Sequence, residues 1–330
     1  MLTILLDSFS EWFALAQAWL FETLVQPVLF QTGLGDITEQ AFEGTEWFLV
    51  GVIELLVLFT LLRPLEAWFP VQTIPDAKAR WNDFTYTAVH RLGLFSLLIF
   101  FLLDPLMDQL AALLHLQGVR PFNLESLWPE MGALASFFIY LVVFDFFDYW
   151  YHRMQHQFNW WWSLHSLHHS QQHMNLWSDN RNHLLDDLLR DIYMGLIALC
   201  LGVAPSQYVL LVSLSRCLQS LQHANVRLHF GRVGEWLLVS PRYHRLHHGI
   251  GVGHESAGPG TLGGCNFAVL FPVWDILFRT IDTSTAFVAT GVRDQLPAPQ
   301  GQGVEYGDGF WAQQWLGLRR LGAALRRKEG

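Results

Sequence analysis

The segment PEMGALASFFIYLVVFDFFDYWYHRMQH occupies residues 129–156 and joins an apolar run to a pair of histidines. The run at 129–147 is nearly long enough to cross the hydrocarbon layer as a helix, which takes about 20 residues. No proline or glycine separates this run from His152 and His156. Because the two histidines are four positions apart, a continuing helix presents both on one face. The segment predicts a membrane helix whose end carries metal ligands.

Two copies of the pattern His-x-x-His-His follow this helix, HSLHH at 165–169 and HRLHH at 244–248. Helical spacing places the three imidazoles of each copy on one side of its helix. Neutral imidazole is the commonest protein ligand for metals and suits iron, zinc and copper. Eight histidines exceed what a single ion binds, so we predict a dinuclear centre. Its predicted ligands are His152, His156, His165, His168, His169, His244, His247 and His248.

The composition of the chain indicates a membrane protein. Apolar residues make up 52% of its 330 residues and charged residues only 15%, whereas a typical soluble domain has roughly 25% charged residues. The net charge of −9 argues against a nucleic-acid partner. The three cysteines form no C-x-x-C pair, so we expect no disulfide. We predict an all-α integral membrane protein with a stem of about four membrane-embedded helices and a cytoplasmic helical cap that holds the metal centre.

Apolar stretches locate the predicted stem at 46–63, 88–107, 129–147 and 192–215. The last stretch contains Gly202 and Pro205, so it is either a hairpin that dips into the bilayer or one kinked span. The predicted organisation has three parts: an interfacial N-terminal segment at 1–45, a membrane and catalytic domain at 46–290, and a basic amphipathic tail at 291–330.

Basic residues predict the orientation of the stem. The first 62 positions contain no Lys or Arg, whereas Arg63, Lys78, Arg80 and Arg91 surround the link between the first two spans. The next link, at 108–128, contains only Arg120. By the positive-inside rule, the metal site lies on the cytoplasmic side, and we predict a bacterial inner membrane as its location.

The boxes HRMQH, HSLHH and HRLHH, in this order behind apolar spans, resemble the fatty acid hydroxylase/sterol desaturase superfamily of membrane di-iron oxygenases. The resemblance covers about residues 145–280. The segment NLWSDNRNHLLD resembles a family segment that would make His183 a metal ligand, and QHANV resembles another that implicates His223. The segment NFAVLFPVWDILFRT resembles the closing family segment, with Ala268 and Arg279 where glycines are usual.

Four further residues are predicted to act beside the metal ligands. Ligating imidazoles need hydrogen-bond acceptors that fix their tautomers. Asp148 lies one helical turn before His152, where its carboxylate can accept such a bond. The alternative is that Asp148 forms an ion pair with a nearby base, chiefly Arg153, and has a purely structural role. The other three predicted residues are Asp186, Asn225 and Asn266.

The resemblance implies an oxidoreductase that activates dioxygen with two iron ions (Fe2+/Fe3+). Such an enzyme would hydroxylate or desaturate a C–H bond of a lipid drawn from the bilayer, in lipid or sterol metabolism. Zinc can replace iron in recombinant protein, because metal availability and site geometry influence occupancy. The sequence shows no flavin or ferredoxin motif, so electrons would come from an external donor, a reductase, ferredoxin or cytochrome-type partner.

Two other functions use the same residue types. A membrane-embedded zinc hydrolase would normally carry H-E-x-x-H, with a glutamate base between its ligands, and this motif is missing from the sequence. A metal transporter would need ionisable residues inside several spans, whereas Glu54 is nearly alone within the predicted ones. Both features favour the oxygenase.

Overall fold

A computed structural model gives the fold and describes residues 2–74, 77–120, 122, 126, 130, 132–250, 264–297 and 303–326. Within these ranges the chain is helical and forms no strand beyond two isolated bridges, which confirms the all-α prediction there. The helices are α1 Leu2–Leu20, α2 Gln26–Thr32, α3 Thr38–Val57, α4 Arg63–Trp68, α5 Ala77–Arg91, α6 Leu94–Leu116, α7 Ala133–Gln157, α8 Asn159–His169, α9 Leu184–Leu201, α10 Pro205–His223, α11 Gly231–Leu237, α12 Pro241–His247, α13 Val273–Leu277 and α14 Phe310–Arg326.

The first four helices form an antiparallel hairpin. α1 continues through the π-helical turn Phe21–Val25 into α2, and α3 continues through Leu58–Leu62 into α4. Gly33 ends α2 in the left-handed region, with φ 74°, where glycine carries no steric penalty. Phe21 then packs edge-on against Phe42 of α3, with ring centroids 5.2 Å apart.

Among the residues that the structure describes, three helical segments are long and apolar enough to cross a membrane: Ser8–Thr32, Gly35–Trp68 and Ala133–Gln157. The first lies inside the part of the chain that the sequence predicted to be interfacial. Its surface exposes large apolar side chains, among them Trp12, Leu15 and Phe30. Such a surface is stable against lipid rather than water. By length and composition this helix is able to cross a membrane, and the predicted interfacial placement of 1–45 stays a prediction.

The apolar stretch at 88–107 is divided between two helices. α5 ends at Arg91, and Gly93, with φ 74°, precedes the first residue of α6. Arg91 is buried and donates to Glu54 of α3 over 2.7 Å. Gly51 permits this close approach of α3, because a Cβ there would lie 1.5 Å from the Arg91 carbonyl oxygen. The charge of Arg91 explains why the predicted span does not begin at 88.

The stretch at 192–215 forms a helical hairpin. Gly202, in the left-handed region with φ 61°, ends α9, and Pro205 begins α10 at a position where its missing N–H costs nothing. Near the start of α9, Asp186 contacts His165, and at the end of α10, His223 contacts His168. The chain thus leaves the histidines along α9 and returns to them along α10. The stretch is a helical hairpin and not one kinked helix.

Three helices, α8, α12 and α14, pack together with the ends of α7 and α10 at the histidines. The predicted tail does not stand apart, because α14 packs along α8 and buries Gln313, Gln314 and Gly317. A Cβ at residue 317 would lie 2.4 Å from the ring of His183, so the glycine allows α14 to approach. The tail forms one wall of the histidine-rich region.

Candidate metal centre

Four helices end at the same place, each with histidines in its final turns. His152 and His156 lie in the last two turns of α7, and the other positions are also C-terminal: His168 and His169 on α8, His223 on α10, His244 and His247 on α12. The C-terminus of a helix carries a partial negative charge from its unpaired carbonyl groups. Four such ends around one space favour a cation there.

Cluster one consists of four buried histidines, His152, His156, His169 and His247. Each offers one ring nitrogen, and these nitrogens all lie within 4.8 Å of one another. They come from three helices, α7, α8 and α12, so the group exists only in the folded chain.

Cluster two consists of His168, His223, His244 and His248, also buried. The Nε2 atom of His223 lies 3.1 Å from Nε2 of His168 and 3.1 Å from Nε2 of His244, and the latter lies 3.1 Å from Nε2 of His248. Ligands about 2.0–2.1 Å from one ion would be separated by roughly 2.9–3.4 Å in octahedral or tetrahedral geometry. The spacing of these nitrogens fits a single metal ion.

The two clusters adjoin through neighbouring residues of both repeats. His168 belongs to cluster two and His169 to cluster one, and His247 and His248 divide in the same way. The rings of His169 and His248 stack with centroids 4.1 Å apart. Each His-x-x-His-His copy therefore contributes to both clusters, which is the arrangement expected of a dinuclear centre.

Backbone carbonyls fix the orientation of three ligand rings. His152 donates through Nδ1 to the Phe267 carbonyl over 2.8 Å, and His247 does the same to the Cys265 carbonyl over 2.7 Å. His223 donates through Nδ1 to the Gln219 carbonyl over 2.8 Å. A proton on Nδ1 leaves the Nε2 lone pair for a metal.

Asn266 lies between the two carbonyl groups that hold His152 and His247. Its backbone has φ 56°, in the left-handed region, where asparagine is tolerated better than most residues. Its side chain donates to the Tyr243 and Asp282 carbonyls over 3.2 and 3.1 Å and accepts from the Asp282 amide over 2.7 Å. Asn266 therefore acts on cluster one through the backbone rather than by touching a ligand.

His165 and His183 are the two predicted ligands that lie in neither four-histidine cluster. His165 has its nearest histidine rings in cluster one. Its ring centroid is 5.1 Å from that of His156 and 5.0 Å from that of His169. Nδ1 lies 3.3 Å from a carboxylate oxygen of Asp186, while Nε2 is buried and has no hydrogen-bond partner within the described ranges. The position suits a fifth ligand beside cluster one.

Asp186 is a buried carboxylate with four side-chain partners beside the site. It accepts from Trp161 over 2.7 Å and from Gln155 over 2.8 Å, besides Tyr151 and His165. Burial alone would raise the pKa of Asp186, but the bonds from His165, Trp161 and Gln155 hold this pKa below its ordinary value. Asp186 lies where it can orient His165, and its role beside the metal ligands stays a prediction.

The imidazoles of cluster two are held in their neutral, metal-binding form. Burial lowers the pKa of His168, His244 and His248 well below the ordinary histidine value, and the neighbouring imidazoles lower it further. Only neutral imidazole has a lone pair for a metal. The burial that disfavours protonation therefore keeps the lone pairs of these imidazoles available to a metal.

The structure does not bring His183 to either cluster. Its Nε2 atom donates to the Gln314 carbonyl over 2.9 Å, and its Nδ1 atom accepts from the Leu185 amide over 3.1 Å. Both ring nitrogens are thus engaged with the backbone, and His183 serves as the N-cap of α9. The structure contradicts the metal-ligand prediction for this residue.

Asp148 and Asn225 also act away from the metal ligands. Asp148 binds Arg190, with contacts of 2.8 to 3.1 Å to the guanidinium, and no contact to a clustered histidine is present among the described residues. Asn225 donates to the Gln72 carbonyl over 2.7 Å and accepts from the Gln72 amide over 3.2 Å, so it ties the link after α4 to the end of α10. Both residues have structural contacts in place of the predicted role beside the metals.

A buried polar chain that the sequence analysis missed leads from the stem to cluster two. Glu54 accepts from Arg91 over 2.7 Å, and Arg91 also contacts Asp179 over 3.2 Å. Asp179 in turn lies 3.6 Å from Nδ1 of His223. An ionisable residue in an apolar helix, such as Glu54, was the available signal, because such residues need partners.

The sequence pattern of the fatty acid hydroxylase family matches residues 137–280. This segment contains both clusters, both His-x-x-His-His copies and Asn266. This part of the chain is similar to the fatty acid hydroxylase family. The predicted resemblance to the fatty acid hydroxylase/sterol desaturase superfamily is thereby confirmed.

Proteins named as lipid monooxygenases and hydroxylases are similar to part of this chain. Alkylglycerol monooxygenase of Homo sapiens is 29% identical over 176 residues, which are 53% of this chain and 36% of that protein. The Xenopus tropicalis protein of the same name is 29% identical over 136 residues, 41% of this chain and 28% of its own length. An ornithine lipid hydroxylase of Rhizobium tropici is 28% identical over 184 residues, 52% of this chain and 53% of that protein. The chain thus aligns with about half or less of each relative, and no solved structure matches it.

Proposed function

We propose that the chain is a membrane di-iron oxygenase that hydroxylates a C–H bond of a lipid. The observation that carries the proposal is the pair of adjoining four-histidine clusters, with nitrogen spacings that fit one ion each. The reaction would balance as R–H + O2 + 2 electrons + 2 H+ giving R–OH + H2O, with both electrons from an external protein donor. The names of the relatives favour hydroxylation over desaturation.

The donor set suits iron. Histidine ligands carry no charge, so two divalent ions would keep most of their positive charge and their affinity for small oxidants. When bound, the ions would supply the reductive activation of dioxygen. His152, His156, His169 and His247 would hold one ion with His165 beside it, and His168, His223, His244 and His248 would hold the other.

The residues of the chain would position the substrate and exclude bulk water. A cavity of about 110 Å³ reaches the clusters and is lined by His152, His168 and His244 together with Asp191 and Arg216. Enclosure of this kind keeps a reactive site from side reactions with solvent. A lipid carbon within the cavity would be held beside the metals by the walls rather than by a covalent bond.

The localisation follows from the helices and the basic residues. We propose an inner-membrane protein whose clusters face the cytoplasm, where an electron donor of the reductase, ferredoxin or cytochrome type can reach them. Single cysteines at Lys78 and Arg120, in a background without Cys200, Cys217 and Cys265, test this orientation. A membrane-impermeant thiol reagent applied from outside should label position 120 and not position 78, and the reverse pattern would contradict the proposal.

The chemistry is tested with full-length protein purified without oxygen. Metal analysis should find two iron ions per chain, and addition of reductant and membrane lipid should start dioxygen uptake. Isotopically labelled dioxygen should appear as one added oxygen atom in a lipid. Lipid hydrolysis that proceeds without dioxygen or reductant, in protein that holds zinc, would instead support the zinc hydrolase.

A further inference from the structure

A chain of cavities runs from the stem to the metal centre. The widest, of about 540 Å³, lies among α3, α6, α9 and α10, and a smaller one of about 40 Å³ separates it from the cavity at the clusters. Arg216 and Asp191 line all three. Along α10 the lining extends from Pro205 to His223, about 27 Å at 1.5 Å per residue. This length suits an extended lipid chain.

Polarity changes along this path. Near the clusters the wall is polar and includes Asn182, Gln219 and Gln222. The middle cavity has the apolar side chains of Leu141, Phe144, Met194 and Leu211. A lipid that matches these walls places its polar head beside the metals and its hydrocarbon tail against the apolar side chains of the middle cavity.

Arg216 and Asp191 carry opposite charges, and neither makes a side-chain ion pair within 4.0 Å among the described residues. Other charged groups on the same walls are paired, Asp148 with Arg190 and Asp187 with His90. Arg216 and Asp191 attract each other only at longer range, and the backbone carbonyl of Arg216 accepts from Arg91. A partly buried charge is costly unless a partner of opposite sign meets it. The two side chains are therefore available to a ligand.

We propose that Arg216 and Asp191 bind the zwitterionic head of a lipid, so that oxygen is inserted close to the head and not far along the tail. The anionic group of the head would meet Arg216 and the cationic group Asp191. The inference rests on the proposed hydroxylase function for its chemical consequence, but the binding step does not depend on turnover. Glu39, Glu43 and Glu46 at the wide end disfavour a head that is only anionic.

Two kinds of lipid share this chemistry, an amino-acid-headed lipid and phosphatidylethanolamine. Native mass spectrometry of the full-length, metal-loaded protein in detergent, without reductant, would measure binding of each. Phosphatidylglycerol and a neutral alkylglycerol are the comparison lipids. We expect a zwitterionic lipid to bind at least about tenfold more tightly than either comparison lipid, since charge-assisted hydrogen bonds are worth this much or more. Of the two zwitterionic lipids, the one with the higher affinity is the lipid class that supplies the head group.

Variants test the two side chains separately. Arg216→Gln and Asp191→Asn should each weaken binding of the zwitterionic lipid about tenfold or more, whereas Arg216→Lys should retain most of the affinity. Arg232→Gln and Asp36→Asn, at exposed positions away from the cavities, are the matched controls and should bind as the wild type does.

Equal binding of zwitterionic and neutral lipids by the wild-type protein would overturn the inference, whether or not the variants fold. Unchanged affinity in both Arg216→Gln and Asp191→Asn would overturn it as well. Iron content and dioxygen uptake are measured on the same preparations. Protein that binds the zwitterionic lipid but consumes no dioxygen would contradict only the proposed function. An active enzyme that prefers the alkylglycerol would contradict only this inference.

Discussion

Replacement of Asn266 by alanine should weaken both the fold and metal binding at cluster one. The change removes three side-chain hydrogen bonds, to the Tyr243 carbonyl and to the amide and carbonyl of Asp282. At about 0.5–1.5 kcal/mol each, these contribute roughly 1.5–4.5 kcal/mol to the free energy of unfolding. Alanine at φ 56° adds a backbone penalty of about 1–2 kcal/mol. We expect a total loss of roughly 3–6 kcal/mol.

The effect on the metal follows from the two neighbouring carbonyls. Cys265 and Phe267 accept from His247 and His152, and their direction depends on the backbone of Asn266. Loss of such acceptors typically lowers metal affinity by about 10- to 100-fold. Competition with a chelator, on anaerobically purified protein, would measure this change, and thermal unfolding would measure the loss of stability.

Asn266→Gly separates the two causes. Glycine accepts the left-handed backbone without strain but makes none of the side-chain bonds, so its stability should fall between those of alanine and asparagine. Arg279→Gly is the control, because Arg279 has φ 57° and an exposed side chain. If Asn266→Ala and Asn266→Gly both bind metal as tightly as the wild type, the carbonyls do not orient the ligands and the reasoning fails.

Three further changes test single contacts. Asp148→Asn should lower the unfolding temperature and leave the iron content unchanged, because Asp148 binds the guanidinium of Arg190; a loss of iron at normal stability would contradict this. His168→Ala should reduce the metal content from two ions per chain to one, whereas His183→Gln should keep both and lose stability through its cap; elemental analysis distinguishes them. Arg279→Gly should raise the unfolding temperature slightly, by relief of about 1 kcal/mol of backbone strain, and a lower temperature would show that its side chain is needed.

The ligands were predictable because their spacing is local. Histidines at i, i+3 and i+4 share a helix face, and eight of the nine histidines at the centre belong to such groups. Their division into two clusters was not predictable. Neighbouring residues such as His168 and His169 point about 100° apart on a helix, and which cluster each enters depends on how α8 packs against α7, α10 and α12.

The contacts of Asp148 show where local spacing fails. The sequence offered Arg153 as a partner, but five positions along a helix lead to a different face. In the structure Arg153 instead donates to Tyr149, four positions away, and lies over the ring of Trp150. The partner of Asp148 is Arg190, on another helix and 42 positions distant. Only the packing of α9 on α7 brings these two charges together.

His183 fails for a different reason. The family resemblance assigned His183 as a metal ligand because of its position in a sequence motif. The motif does not show which other groups the imidazole contacts. A residue that precedes a helix can accept a hydrogen bond from the first turn, and His183 does so from Leu185. Its other ring nitrogen meets α14, a helix 131 positions away whose packing the motif does not contain.

The charge balance of the centre connects these observations. Eight neutral imidazoles cannot offset the four positive charges of two divalent ions, so compensation has to come from groups behind the ligands. The structure supplies carbonyl ends of four helices, Asp186 at His165 and Asp179 near His223. Asp179 is itself held by Arg91, which Glu54 holds in turn. The carboxylate on cluster two is thus partly neutralised by a cation, whereas Asp186 has only neutral donors around it besides His165. The ion beside Asp186 should therefore be the more tightly held, and stepwise removal by a chelator should empty cluster two first.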